Sequence, residues 1–156
     1  MKCALTKSTS LKTFLCAVLG IGMGVMAFSP GQATPSYFTL TVVVKHELPA
    51  SGQVKVSVFN SQSTFLKSPY AQKQTHVGTE GETIINFENL PAGDYAVSAI
   101  HDQDANGKLN RNFIGKPREP FGFSNNVRVR FAPPAFDKTK FTVTEQDETI
   151  VIDLES

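Results

Sequence analysis

The residues best suited to chemistry in this chain form the short run DQDANG at positions 102–107. The run matches D-x-[DN]-x-[DN]-G, the first half of a calcium-binding loop. A hard cation needs about six to eight oxygen ligands, and acidic or amide side chains at every second position can converge on one point. The predicted ligands are Asp102, Asp104, Asn106, Lys108 through its backbone carbonyl, and Asn110.

Two features of this loop depart from a complete calcium site. The twelfth position, where a bidentate glutamate is expected, is Phe113, and Asn112 or Glu119 could take its place. The segment before Asp102 has the pattern of a strand rather than of a helix. Asp and Asn side chains also stabilise tight turns without a metal, by accepting hydrogen bonds from nearby backbone N–H groups. Calcium binding and a metal-free turn therefore both stay open, and calcium is the cofactor that the residues suggest.

Aromatic residues follow the acidic run in a stretch rich in glycine and proline. Phe113, Phe121 and Phe123 lie close together there, and Asn125 follows. One interpretation is a ligand contact surface formed by Phe121, Phe123 and Asn125. The other is a loop that folds back and fills the core with its rings, since phenylalanine has no polar group and binding surfaces favour Tyr, Trp and Arg.

No catalytic set is evident in the sequence, and no catalytic residue is assigned. His101 precedes Asp102 and Asp104, so a metal-dependent hydrolase that uses these three residues is one hypothesis. A single histidine at the end of a strand more often has a hydrogen-bonded structural role. His46 and His76 lie on other segments, without the spacing of a metal site.

Period-two alternation of apolar residues dominates the chain after Pro35 and predicts strands. Residues 60–82 and 101–126 lack this alternation and are expected to be loops, apart from a short strand or turn around Phe65. The predicted fold class is all-β, a two-sheet antiparallel β-sandwich of about seven strands with one long loop at 101–126. The predicted strands are centred on 38–44, 54–58, 85–87, 95–99, 127–131, 141–143 and 150–154.

The first 33 residues have the features of an export signal. Three lysines precede an uncharged, mostly apolar run over 14–28, and a Gly-Gln-Ala sequence fits cleavage after Ala33. The run is shorter than the roughly 20 residues that a spanning helix needs, and an uncleaved anchor is the alternative. The predicted organisation is a signal peptide at 1–33 and one β-sandwich domain at 34–156, in a periplasmic or secreted protein.

Charge and cysteine content limit the partners of residues 34–156. This part carries 12 of the 15 basic residues and all 14 acidic ones, a formal charge of −2, whereas the whole chain is +1. Because there is no basic surplus to neutralise phosphates, a nucleic-acid partner is not expected. Both cysteines, Cys3 and Cys16, lie in the predicted signal, so we expect no disulfide and no thiolate site in the domain. No membrane span is expected after signal cleavage.

Several motifs spread over the chain carry a family resemblance. They are Val54-x-Val56-x-Val58-Phe59, Phe87-Glu88-Asn89-Leu90-Pro91-Ala92-Gly93-Asp94-Tyr95, His101-Asp102-x-Asp104-x-Asn106-Gly107-Lys108-Leu109, Gly115-x-Pro117-x-Glu119, Gly122-Phe123-Ser124-Asn125-Asn126 and Pro134-x-Phe136. Together they resemble the bacterial domain-of-unknown-function family 2141 (DUF2141). The resemblance implies an exported, transthyretin-like or Ig-like β-sandwich. It brings no established reaction, substrate or catalytic residue.

Three functions fit the sequence. The first is a non-catalytic binding or accessory module of the cell envelope, with a glycan, a peptide or a protein as its partner, since loops at the end of a sandwich can meet ligands without disturbing the core. The second is the metal-dependent hydrolase that would use His101, Asp102 and Asp104. The third is a structural subunit of an envelope assembly, because an exposed edge strand can pair with another chain.

Overall fold

The computed structural model describes residues 36–47, 51–129 and 132–155. The predicted export signal lies outside these residues and stays a prediction. Among the described residues, none of the helices has the length and hydrophobicity to cross a membrane. The elements are β1 (Tyr37–Lys45), β2 (Gln53–Phe59), β3 (Ala71–His76), β4 (Glu82–Pro91), β5 (Gly93–Asp102), β6 (Phe121–Phe123), a 3₁₀ turn (Ser124–Asn126), α1 (Phe136–Thr139), β7 (Phe141–Val143) and β8 (Glu148–Asp153).

Two sheets form the fold, as the alternation predicted. One sheet has three strands in the order β4-β1-β8, and the other has five, in the order β3-β2-β5-β6 with β7 paired to the start of β5. Neighbouring strands are antiparallel except β1 and β8, which run parallel with Leu40 beside Glu148 and Lys45 beside Asp153. The all-β, two-sheet prediction is confirmed, with eight described strands where about seven were predicted and with one parallel pair in place of a wholly antiparallel arrangement.

The principal core lies between the two sheets. Alternate residues of β1, β2 and β4 face it, because successive side chains of a strand point to opposite sides of the sheet. Burying one Val or Leu side chain stabilises a fold by roughly 1.5–3 kcal/mol. The most buried members are Leu40, Val42, Val44, Val54, Val56, Val58, Phe87, Tyr95, Val97, Ala99, Val143 and Ile152.

Two strands lie where the sequence predicted loop. β3 is polar and mostly exposed because it is an edge strand that pairs with β2 and has no buried face to produce an apolar alternation. β6 has only three residues and lies inside the predicted 101–126 loop. The strand predicted at 127–131 is not formed over 127–129, and 130–131 are outside the described residues.

Strand β5 is buried on both faces and gives the long loop a fixed starting point. Its outer face packs in a second apolar cluster, to which α1 contributes Phe136 and the segment after β2 contributes Phe65. The ring of Phe65 makes edge contacts with Phe59 and Phe136, with centroid distances of 5.3 and 5.7 Å. Because both faces of β5 are packed, the strand gives a rigid support for its last residue, Asp102, which is itself buried.

Candidate functional site

Asp102 ends β5 and organises the turn that follows. Its side chain is 2% exposed, and its two carboxylate oxygens accept the backbone N–H groups of Asn106 at 3.0 Å and Gly107 at 2.6 Å. The backbone of Gly107 has φ +79°, a left-handed conformation that glycine adopts without strain. The D-x-D-x-N-G run therefore closes a tight turn around the Asp102 carboxylate.

Asp104 lies on the exposed side of the same turn. Its Oδ2 accepts the side-chain amides of Asn110 at 2.8 Å and Asn106 at 3.0 Å, and its Oδ1 accepts the backbone N–H of Asn106 at 3.2 Å. The hydrogen bond from Asn110, with smaller contributions from Asn106 and Asp102, lowers the pKa of Asp104 below its ordinary value. The carboxylate is therefore stabilised in the charged form that a cation needs.

Glu119 completes the cluster from a distant position in the loop. It is 5% exposed, and its carboxylate accepts the backbone N–H groups of Asn110 at 2.8 Å and Gln103 at 3.2 Å. One oxygen from each of Asp102, Asp104 and Glu119 lies within 4.8 Å of the others. Glu119 thus lies where the sequence analysis proposed that it could replace the missing glutamate of the twelfth position.

The amide residues of the predicted ligand set take other roles in this geometry. Asn106 accepts the backbone N–H of Lys108 at 2.8 Å through its Oδ1, and Asn110 accepts the Asn106 amide at 2.9 Å. Asn112 accepts the N–H groups of two residues of its own turn. The structure brings three carboxylates together but leaves these amide oxygens engaged within the loop.

The chemistry of the donor set fits a hard divalent cation, with one opposing feature. Three carboxylates provide oxygen ligands of the kind that calcium takes, although six to eight are typical. An open recess of about 530 Å³ adjoins Asp104 and Glu119, and Arg111 and Arg118 also line it. These two positive charges oppose a bound cation, so affinity in the weak range of extracellular calcium modules, about 10⁻⁴–10⁻³ M, is the expectation.

A small hairpin, residues 110–118, rises from this cluster and is called the tip hairpin below. The backbone N–H of Arg118 donates to Asn110 at 2.8 Å, and the N–H of Asn112 donates to Lys116 at 2.9 Å. The Asn112 side chain closes the turn, and Arg111 donates to the Gly115 carbonyl at 2.9 Å. At its apex, the side chains of residues 113 and 114 project into solvent.

The three phenylalanines of the loop have different environments. Phe123 is buried in the outer apolar cluster, Phe121 packs against that cluster, and Phe113 is 99% exposed. Phe121 and Phe123 also line a groove of about 560 Å³ that includes Ile100 and Ile114. The rings of Phe121 and Phe123 pack as the core-filling interpretation expects, whereas Phe113 does not. The contact surface stays a prediction, and the same two rings also form a wall of the groove.

Asn125 and His101, also singled out from the sequence, are engaged elsewhere. The Asn125 amide donates to the backbone carbonyls of Lys138 and Lys140 at 3.2 and 3.0 Å and so ties the 3₁₀ turn to α1. His101 is 4% exposed, its Nε2 donates to the Ser51 carbonyl at 2.7 Å, and its ring lies 5.7 Å from that of His46. Among the described residues, neither side chain forms a hydrogen bond with a carboxylate of the acidic cluster.

The tip hairpin was not identified from the sequence. In the sequence, Phe113 stands out as the residue at the twelfth position of the calcium pattern and as one of three neighbouring phenylalanines, and neither feature indicates a hairpin. Asn112 followed by Gly115 is the signal that could have located it, because Asn and Gly favour a turn at this spacing.

Fold and site together define an all-β, two-sheet protein with an acidic cluster at the base of a protruding loop. The chain belongs to the family described as "Uncharacterized protein conserved in bacteria (DUF2141)", which it matches over residues 42–151. The match includes β5, the acidic cluster and the tip hairpin. No curated protein and no solved structure matches the chain.

Proposed function

We propose that this chain is an exported, non-catalytic β-sandwich module that binds a component of the cell envelope through its 101–126 loop, with calcium at the base of the loop. The observation that carries the proposal is the arrangement of Glu119. Its carboxylate joins Asp102 and Asp104 within 4.8 Å and also holds the backbone of Asn110, where the tip hairpin begins. A cation at this point would therefore order the part of the loop that projects into solvent.

A binding role is supported by the way in which the loop is attached to the domain. The loop starts at a strand buried on both faces and ends in β6, which is paired to the same strand. Such a scaffold positions a contact surface without placing the surface in the core. The glycan, peptide and protein partners considered from the sequence all stay compatible with this proposal.

The hydrolase hypothesis receives less support from the geometry. A general base must reach the reacting group through a hydrogen bond of about 2.6–3.2 Å. The Nε2 of His101 is instead bonded to the Ser51 carbonyl, and the ring is buried against His46. These contacts favour a structural role for His101 and hence the non-catalytic proposal.

The structural-subunit hypothesis is supported by edge strands, which are β4 and β8 in the three-stranded sheet and the mostly exposed β3 in the other. Strand β3 carries Lys73, whose Nζ donates to the Asn86 carbonyl of the other sheet at 2.7 Å. A lysine on an edge strand commonly opposes pairing with another chain. Size-exclusion chromatography separates the two roles, because a monomer at high concentration would count against self-assembly through β3.

Capture of partners from an envelope extract tests the binding role. The purified protein is compared with a Phe113→Ser/Ile114→Ser double variant of the tip hairpin and with Ile84→Ser, a control on the exposed face of β4. The proposal expects the captured components to be lost from the loop variant and kept by the control. Identical capture by all three proteins would rule out the loop apex as the contact surface.

A further inference from the structure

The apex of the tip hairpin presents two adjacent apolar side chains to solvent. Phe113 is 99% exposed and Ile114 is 72% exposed, the highest values for large hydrophobic residues among those the structure describes. Folding gains nothing from the Phe113 side chain and little from the Ile114 side chain, since both stay largely in contact with water. Adjacent exposed apolar residues at a protruding position are typical of a surface that is covered when a partner binds.

The exposure of this apex follows from the geometry of the turn. The Asn112 side chain accepts two backbone N–H groups of the turn, at 3.1 Å from Ile114 and 2.8 Å from Lys116. The backbone N–H of Gly115 donates to the Asn112 carbonyl at 2.9 Å, and Gly115 has φ +83°. These bonds fix the turn so that the Phe113 side chain projects into solvent and the mostly exposed Ile114 side chain lies at the edge of the neighbouring groove.

Basic residues surround the apex. Residues 108–118 contain Lys108, Arg111, Lys116 and Arg118 and no acidic residue, and all four basic side chains are exposed. Within the described ranges, none of the four forms a salt bridge. This concentration of positive charge contrasts with the formal charge of −2 on residues 34–156 as a whole.

We propose that the tip hairpin docks on an anionic lipid surface, with Phe113 and Ile114 inserted at the boundary between headgroups and acyl chains. Lipid bilayers accept apolar side chains at that depth while their phosphates attract the surrounding Lys and Arg side chains. The basic residues flank the apex on both strands of the hairpin. Such spread-out charges match the many phosphates of a lipid surface better than they match one acidic pocket on a protein partner. The inference rests on the proposed function, because both require the 101–126 loop to be the contact surface.

The surroundings of the apex are compatible with this mode of binding. The groove beside it is lined by Ile114, Arg111 and Lys116 together with Phe121, so apolar and basic groups continue from the apex onto the domain. One carboxylate, that of Glu155, also lines this groove and is paired with Arg128 at 3.2 Å, and the acidic cluster lies at the base of the hairpin. A cation bound in the cluster would remove part of its repulsion for headgroup phosphates, so binding is expected to be stronger in calcium than in chelator.

A tryptophan reporter tests the inference directly. The chain has no tryptophan, so Phe113→Trp gives a single fluorophore at the apex and Ile84→Trp gives a matched one on β4. Each protein is purified from the cells that express it, with whatever N terminus it has there. It is mixed either with anionic vesicles of phosphatidylglycerol and phosphatidylethanolamine or with vesicles of phosphatidylcholine alone. We expect a blue shift for Phe113→Trp on the anionic vesicles, none on phosphatidylcholine, and none for Ile84→Trp.

Vesicle sedimentation supplies the second measurement. We expect Phe113→Ser/Ile114→Ser to lower the partition coefficient on anionic vesicles by about tenfold or more, and Lys116→Glu/Arg118→Glu to lower it as well. Lys138→Glu, on α1, is the charge control and should have little effect. Because every variant carries the same N terminus, the differences between them report the hairpin alone.

Two results would overturn the inference. The first is the absence of a shift for Phe113→Trp on anionic vesicles in both calcium and chelator. The second is vesicle binding that the double serine variant retains in full. If either result is accompanied by envelope capture that still depends on Phe113 and Ile114, the loop remains a contact surface for a protein or a glycan, and only lipid docking fails.

Discussion

The carboxylate of Glu119 accepts the backbone N–H of Asn110 at 2.8 Å, across nine positions of the chain. This bond closes the base of the tip hairpin and places a buried carboxylate beside Asp102 and Asp104. The acidic cluster and the exposed apex are therefore two ends of one structure. Changes at the cluster should be felt as changes in the order of the loop.

Calcium should raise the thermal stability of the protein. Three carboxylates held within 4.8 Å repel one another without a cation, and a ligand bound only to the folded state stabilises it by RT ln(1 + [L]/Kd). At ten times Kd this is about 1.4 kcal/mol, a rise in Tm of a few degrees. Asp104→Ala should abolish the shift in Tm while the fold stays intact, because Asp104 is exposed. Glu80→Ala, at an exposed carboxylate outside the cluster, is the control and should keep the shift. An unchanged Tm between chelator and about 10 mM calcium would favour the metal-free turn.

Gly52→Ala should destabilise the fold at the base of the loop. Gly52 has φ +93°, and a Cβ there would meet the carbonyl oxygen of Asp102 and lie 2.8 Å from Cα of Gln103. Both contacts are with backbone, so neither can rotate away, and the left-handed conformation itself costs about 1–3 kcal/mol for a residue other than glycine. Gly93→Ala, where the nearest atom is 3.9 Å away, is the control. Equal denaturant midpoints for the two variants would contradict this account.

Tyr95→Phe should lower stability by about 1 kcal/mol, or roughly 4 °C in Tm. The Tyr95 hydroxyl donates to the Pro91 carbonyl at 2.7 Å across the turn between β4 and β5, and the side chain is 2% exposed. Removing the donor leaves the carbonyl without this bond, whereas the packing of the ring is kept. Chemical denaturation measures the change. A variant as stable as the original protein would mean that water satisfies the carbonyl equally well.

Acid should weaken the connection between β5 and β7. Asp94 accepts the Thr142 hydroxyl at 2.7 Å and the Lys140 ammonium at 3.1 Å, and these contacts lower the pKa of Asp94 below its ordinary value of 3.8. Because the pKa of Asp94 is depressed in the folded state, its contribution to stability is complete at pH values above its unfolded-state pKa. The contribution is lost as the pH falls through the folded-state pKa. Asp94→Asn should therefore reduce the loss of stability that the protein shows between neutral pH and pH values below 3.8. Parallel stability–pH curves for the original protein and Asp94→Asn would refute the assignment.

Export should remove the first 33 residues and leave a chain that begins at Thr34. A basic start, a short apolar run and a small-x-small site are the features that signal peptidase recognises. Intact-mass analysis of the periplasmic or secreted fraction measures the cleavage position. Recovery of the full precursor in the membrane fraction would identify residues 14–28 as an anchor instead.

The sequence alone determined the all-β class and the central strands of both sheets. The alternation of valines in 54–58 predicts a strand with one buried face, because side chains on a strand point alternately to opposite sides of the sheet. The tight turn after Asp102 was equally local, since it depends on residues within a few positions of one another. Short-range geometry was sufficient for these elements.

The tertiary structure decided the features that depend on distant residues. β3 is a strand because β2 provides its hydrogen-bonding partner. The parallel pairing of β8 with β1 joins segments that are far apart in the sequence, so no local pattern indicates it. Phe113 and Phe123 both belong to the stretch that lacks apolar alternation, yet one is exposed and the other buried, since only the second reaches the outer face of β5. The carboxylate of Glu119 likewise joins Asp102 only after β6 pairs with β5 and brings the end of the loop back to its start. Alternation and turn preference act over a few residues, whereas these contacts are selected by packing of the whole domain.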